Sequence, residues 1–172
     1  MDILVRLMAL TAMHPRLLWD DIIAATVAVL NAPGAQSPFP FVVTVQDVPG
    51  FGSGQLQLTI DPAGVAPEHV SRLRRTYEPS RLVELAAIAI AGLGLYYGGG
   101  HEMRDVALRG SGADYLVDES NHLLEVAGRS RRRDVEVAWR QRRQRLIDRM
   151  GSGFYVCVAE FEASSGRLAF QS

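Results

Sequence analysis

The chain has 172 residues, 48% of them apolar, and a formal net charge of −1. That length fits one domain of ordinary size with room for a small appended unit, and the apolar share is enough for a real core. All 18 basic residues are arginine and the only cysteine is Cys157, which excludes lysine Schiff bases, phosphate-loop lysines, intrachain disulfides and cysteine-built zinc sites.

The elements read in order along the chain. Asp2 to Ala12 is apolar and is followed by His14-Pro15. A helix is predicted from Arg16 to Leu30, where Leu18, Ile22, Ala25 and Val29 recur at helical spacing and Asn31-Ala32-Pro33-Gly34 supplies a stop. Phe41–Val48 and the strictly alternating Gln55–Ile60 flank the glycine-rich turn Pro49–Gly54, which predicts a hairpin with one wet face. Pro67 to Pro79 divides the chain into an N-terminal helix-and-hairpin unit, 1–66, and a core unit, 67–172, with one continuous domain as the alternative.

The core unit opens with a short helix around Pro67–Tyr77 and a longer one from Pro79-Ser80 to about Tyr97. The apolar stretch Leu82–Tyr97 carries Glu84, Gly92 and Gly94 and ends at Gly98, too short and interrupted to read as a membrane span. Met1–Arg6 lacks the basic segment and cleavage site of a signal peptide, so the expectation is a cytoplasmic protein with no membrane partner. Three strands follow, Met103–Leu108, Ala113–Val117 and His122–Ala127. The last two are split by the polar turn Asp118-Glu119-Ser120-Asn121, as in a hairpin. A basic helix from Arg131 to about Met150 closes at Gly151-Ser152-Gly153. Phe154–Phe161 reads as a buried strand with Cys157 as core filling, and Arg167–Gln171 as an added edge.

The paired strands each carry one acid, Asp114 and Glu125. A carboxylate inside an apolar strand is costly to bury unless a metal, a base or a hydrogen-bond donor meets it. With these residues in place, the order from Ser80 onward (helix, three strands, helix, strand) resembles the PD-(D/E)XK, or restriction-endonuclease-like, nuclease superfamily. The resemblance covers about Ser80 to Phe161. It implies an α+β (α/β) fold with a restriction-endonuclease-like core and a magnesium site built from Asp114, Glu125 and Glu84 of the preceding helix. Magnesium suits such oxygen donors and would activate water against a phosphodiester. The family motif places a lysine two residues after the third-strand acid. Here that position is Ala127. Arg129 is the candidate substitute, with Arg132 and Arg133 behind it, although arginine can stabilise charge without acting as a base. Gln141 stands where some members place a glutamine. The plainer reading makes Asp114 a strand-entry residue bonded to backbone, and pairs Glu125 with Arg109 or an arginine of the next helix.

The net charge hides a strong asymmetry. From Arg129 to Arg149, nine arginines face only Asp134, Glu136 and Asp148, a local balance of +6 against −7 elsewhere. Val135, Ala138, Leu146 and Met150 form an inward stripe with Trp139 beside it. Arg131, Arg132, Arg140, Arg143 and Arg149 then project outward as a candidate nucleic-acid surface. A solvated face or a contact for an acidic protein is the alternative. Gly98-Gly99-Gly100-His101 and Gly110-Ser111-Gly112 fit a helix stop and a turn better than phosphate loops, and an exposed loop histidine better than a metal ligand. Together these features point to a nuclease-like protein, catalytically weakened or inactive, that binds DNA, RNA or a protein partner in a larger complex or homo-oligomer. The alternatives are an active magnesium-dependent nuclease and a non-enzymatic interaction subunit.

Overall fold

The computed structural model describes residues 1–111 and 113–172. Its central strand explains the architecture. All 7 residues of Phe154–Glu160 are buried, so this strand needs cover on both faces and partners on both edges. Alternation sends Tyr155, Cys157 and Ala159 into one apolar cluster and Phe154, Val156 and Val158 into another. The result is a mixed eight-stranded sheet with helices on both faces, the expected α+β class.

The elements are β1 (Asp2–Arg6), α1 (Leu10–Met13), α2 (Asp20–Leu30), β2 (Phe39–Val48), β3 (Gly52–Asp61), α3 (Pro67–Thr76) and α4 (Pro79–Tyr97). They continue with β4 (Met103–Val106), β5 (Tyr115–Val117), β6 (His122–Arg129), α5 (Val135–Met150), β7 (Phe154–Glu160) and β8 (Ser165–Gln171). From α4 to β7 the predicted order of helix, three strands, helix, strand is present. The strands lie in the order β1-β3-β2-β8-β7-β6-β5-β4. β6 runs parallel to β7, whereas β4, β5 and β6 form an antiparallel meander.

Several boundaries differ from the sequence reading: β4 ends at Val106, β5 begins at Tyr115 and so leaves Asp114 outside the strand, and α5 begins at Val135. Two further differences have tertiary reasons. The helix expected from Arg16 begins at Asp20, because Trp19 donates its indole N–H to the His14 carbonyl (2.9 Å) and holds the intervening residues in a turn. The strand expected at the edge, β8, lies in the middle of the sheet, antiparallel to β7 and parallel to β2. The buried Glu160 carboxylate makes the return tight. It accepts the backbone N–H groups of Glu162 and Ala163 and the Ser165 hydroxyl. The boundary between 1–66 and 67–172 falls between β3 and α3, and strands from both segments share this one sheet.

α4 starts on a proline, which suits a first helical turn, and packs between α2 and the sheet. Its mean hydropathy of 1.3 over an 18-residue window is enough to cross a membrane, but 67% of that window is buried within the fold. Glycines let it approach closely. A β-carbon on Gly92 would meet the His14, Leu10 and Trp19 side chains at 3.1 Å. His14 is itself fully buried. Its Nε2 donates to the Gly92 carbonyl (3.0 Å) and its Nδ1 accepts the Met103 N–H (3.0 Å), so the ring is neutral.

Burial pushes His14 below its ordinary value of 6.5. The unfolded chain therefore takes up a proton near 6.5 while the native ring resists it. Stability should be full above that pH and fall as the pH drops towards the native value. His14→Leu should remove this component while costing about 2–4 kcal/mol through two unpaired backbone groups. Urea midpoints measured from pH 8 to 5 test this, and an unchanged pH slope in the variant would contradict it.

Candidate functional site

Along β6 the side chains divide between the two faces. Leu124 and Val126 enter the cluster under α4, whereas Ala127 packs with Ala138, Trp139 and Leu146 of α5. Glu125 shares the α5 side. It is 1% exposed, and its Oε1 accepts from the guanidinium groups of both Arg142 and Arg145. These two arginines are three residues apart and so share one helix face. Oε2 has no hydrogen-bond partner among the described residues. Burial raises the Glu125 pKa, the two arginines draw it back by less, and the nearby Asp114 charge adds to the rise.

Asp114 lies just before β5 and is exposed. Its Oδ2 accepts the Val126 N–H at 2.7 Å, and its own N–H donates to the Leu124 carbonyl at 2.8 Å. β5 ends its ladder at Tyr115, so the β6 backbone beyond that point would lack a partner. The aspartate side chain supplies one. Glu84, on the second turn of α4, is held by Arg81 at 2.9 Å. Arg129 donates to the Gly128 carbonyl at 2.7 Å.

Arg81, Glu84, Asp114, Arg129 and Arg142 line one recess of about 330 Å³ between α4, β5, the end of β6 and α5, with Tyr115 in its wall. Glu125 does not line it. Each of the three carboxylates expected to hold magnesium already accepts from a protein donor, and Glu125 does so from two cations. No group of three or more His, Cys, Asp or Glu side chains among the described residues is placed to hold a metal. Magnesium needs carboxylate oxygens and waters converging on one point; Glu84 and Asp114 line the same recess, and Glu125 is not among its lining residues.

The expected outward arginines lie elsewhere. Arg140 and Arg143 line an open groove of about 750 Å³ along α5 with Trp139, Gln141 and Arg149. Arg131 and Arg132 line a second depression of about 760 Å³ beside Glu162. Gln141 thus opens on the groove and not on the recess. His101 faces Asp118 Oδ2 (2.6 Å) and the Pro49 carbonyl (2.7 Å), joining the β5–β6 turn to the β2–β3 turn. Of the two glycine strings, Gly98–Gly100 forms the turn after α4, and Gly112 lies outside the described residues.

The plainer sequence reading, Glu125 paired with an arginine of the next helix, is what the structure shows, although that reading did not single out Arg142 and Arg145, and it missed Arg81 and Tyr115. Helical spacing did contain a signal for Arg142. It lies midway between the buried Ala138 and Leu146 on one i, i+4 row, which turns it toward the sheet, where a buried carboxylate is a favourable partner. Arg81 and Tyr115 had no such signal.

Burial holds the Glu125 pKa above its ordinary value of 4.5 in the folded chain, so ionising it costs more in the folded than in the unfolded state and stability is lost as the pH rises through the folded value. Glu125→Gln should gain on the wild type as the pH rises from about 4.5 to 7. Glu125→Ala, which leaves two guanidinium groups unanswered, should lose about 2–4 kcal/mol. Parallel pH profiles for the Gln variant and the wild type in urea melts would refute the argument.

Comparison with protein-family models, curated proteins and solved structures finds no match for this chain.

Proposed function

We propose that the chain is a nucleic-acid-binding module on a restriction-endonuclease-like core, with weakened or silent catalysis, working in the cytoplasm within a larger complex. The observation that carries this reading is the set of exposed arginines on α5 and in the turn before it, divided between the open groove and the neighbouring depression. Arg131, Arg132, Arg143 and Arg149 make no ion pair among the described residues. Arg140 has an exposed bridge to Glu136 at 3.2 Å, an interaction of small net worth that a phosphate could replace. Such arginines can follow a phosphate backbone and release its counterions.

The order of elements from α4 to β7 supports the likeness to the nuclease core. Weak catalysis is supported by Ala127 at the motif lysine position and by the two arginines on Glu125. Arginine can stabilise charge there but does not give up a proton. A second reading, a subunit that meets an acidic protein surface, is favoured by Val137 and Met150, which are 57% and 40% exposed on the same helix.

Purified protein with magnesium or manganese should leave DNA and RNA uncut. Cleavage that disappears in Asp114→Ala and Glu125→Ala would restore the enzyme reading. Nucleic-acid affinity should fall steeply with salt. For duplex DNA, Arg140→Ala with Arg143→Ala should lower the slope of log K against log salt by about 2. Salt-insensitive or absent binding would favour the acidic protein partner.

A further inference from the structure

The recess beside α5 has a composition that the α5 surface lacks. Three arginines line it from three elements: Arg81 from α4, Arg129 from the end of β6 and Arg142 from α5. Each is tethered through one nitrogen, to Glu84, to the Gly128 carbonyl and to Glu125 respectively. A guanidinium carries five N–H donors, so each keeps donors for a ligand while its orientation is restrained. The Glu125 carboxylate lies outside the recess and acts only through Arg142.

The negative groups in the recess are already engaged. Glu84 accepts from Arg81 and Asp114 from the Val126 N–H. Adding Glu125 and its second partner Arg145, four arginines stand against three carboxylates. The excess is positive. Tyr115 adds a hydroxyl with no hydrogen-bond partner among the described residues and lines the recess together with Arg81; burial, reinforced by Asp114, pushes that hydroxyl's pKa up. Small residues form the floor, where Val126, Ala127 and Gly128 line the cavity.

We propose that this recess binds a phosphate monoester without a metal. Planar guanidinium forks match the oxygens of a tetrahedral oxyanion in pairs. A monoester approaches two negative charges where an internal diester has one, so a recess whose three arginines outnumber its two carboxylates favours the chain end over the chain interior. A volume of about 330 Å³ lies at the low end for small-ligand sites, where a strand running through would not fit. The phosphate could belong to a nucleic-acid terminus or to a free mononucleotide. The inference deepens the nucleic-acid reading and rests on it only for the former source.

The test compares a 5′-phosphorylated oligonucleotide with its 5′-hydroxyl twin, both in EDTA, by fluorescence anisotropy. The phosphorylated strand should bind at least about fivefold tighter. Arg129→Gln, and independently Arg81→Gln, should reduce that preference to near one while thermal unfolding remains cooperative. Arg140→Ala with Arg143→Ala should weaken both strands alike. Competition by a nucleoside 5′-monophosphate at equal potency would identify the free nucleotide as the source, and lack of competition would identify the strand end. Equal binding of the two strands overturns this inference and leaves the nucleic-acid reading intact. If neither strand binds, that reading falls, and calorimetry with the mononucleotide decides the recess alone: heat abolished in Arg129→Gln supports it, and no heat overturns it.

Discussion

The close approach of α4 to β6 governs the rest of the molecule. A β-carbon on Gly128 would lie 2.4 Å from the Val83 carbonyl oxygen, so only glycine lets the helix backbone settle directly on the strand. Farther along, Gly94 meets Leu168 of β8 and Gly92 meets His14. The helix is therefore registered against the sheet at two levels, Gly128 and Gly94, and against the segment from Leu10 to Trp19 at Gly92. That register brings Arg81 and Glu84 beside the end of β6 and leaves a polar recess where a looser contact would leave either open solvent or packed core.

Two buried glutamates in this sheet show how different donors give a carboxylate different roles. Glu160 is 1% exposed and is met by neutral N–H and hydroxyl groups from the next few residues. It is a local turn device. Glu125, equally buried, is met by charged groups from a helix 17 and 20 residues away in sequence. It ties α5 to the sheet and restrains Arg142 at the recess. Ion pairs of this kind need not add net stability, because desolvation offsets much of the attraction. Their effect here is orientation, and the unpartnered Oε2 marks how incomplete the compensation is.

Much of the local structure could be read from residue order. The alternation in Gln55–Ile60 and the unbroken apolar run from Phe154 determine strand type through side-chain period, which depends on the chain alone. The order of helix, three strands, helix, strand followed from the same signals. The central position of β8 did not follow, because Arg167–Gln171 carries too little apolar periodicity to distinguish an edge from a middle strand. Two neighbours with unpaired backbone, β2 and β7, determine its place. Likewise Trp19 overrides the helical pattern of Arg16–Leu18 by a hydrogen bond that only the folded chain can make.

The candidate site divides in the same way. Sequence by itself determined that Asp114 and Glu125 fall on the two arms of one hairpin, that Ala127 stands two residues after Glu125 and that arginine is concentrated in one helix. These are properties of residue identity and period. Tertiary structure decided which donor meets each carboxylate. Asp114 serves the unpaired edge of β6, and Glu125 binds Arg142 and Arg145. Arg81, Arg129 and Arg142 meet around a recess that no spacing in the sequence announces. The physical reason is that local period fixes the direction of a side chain along its own element, whereas its partner depends on how separate elements pack.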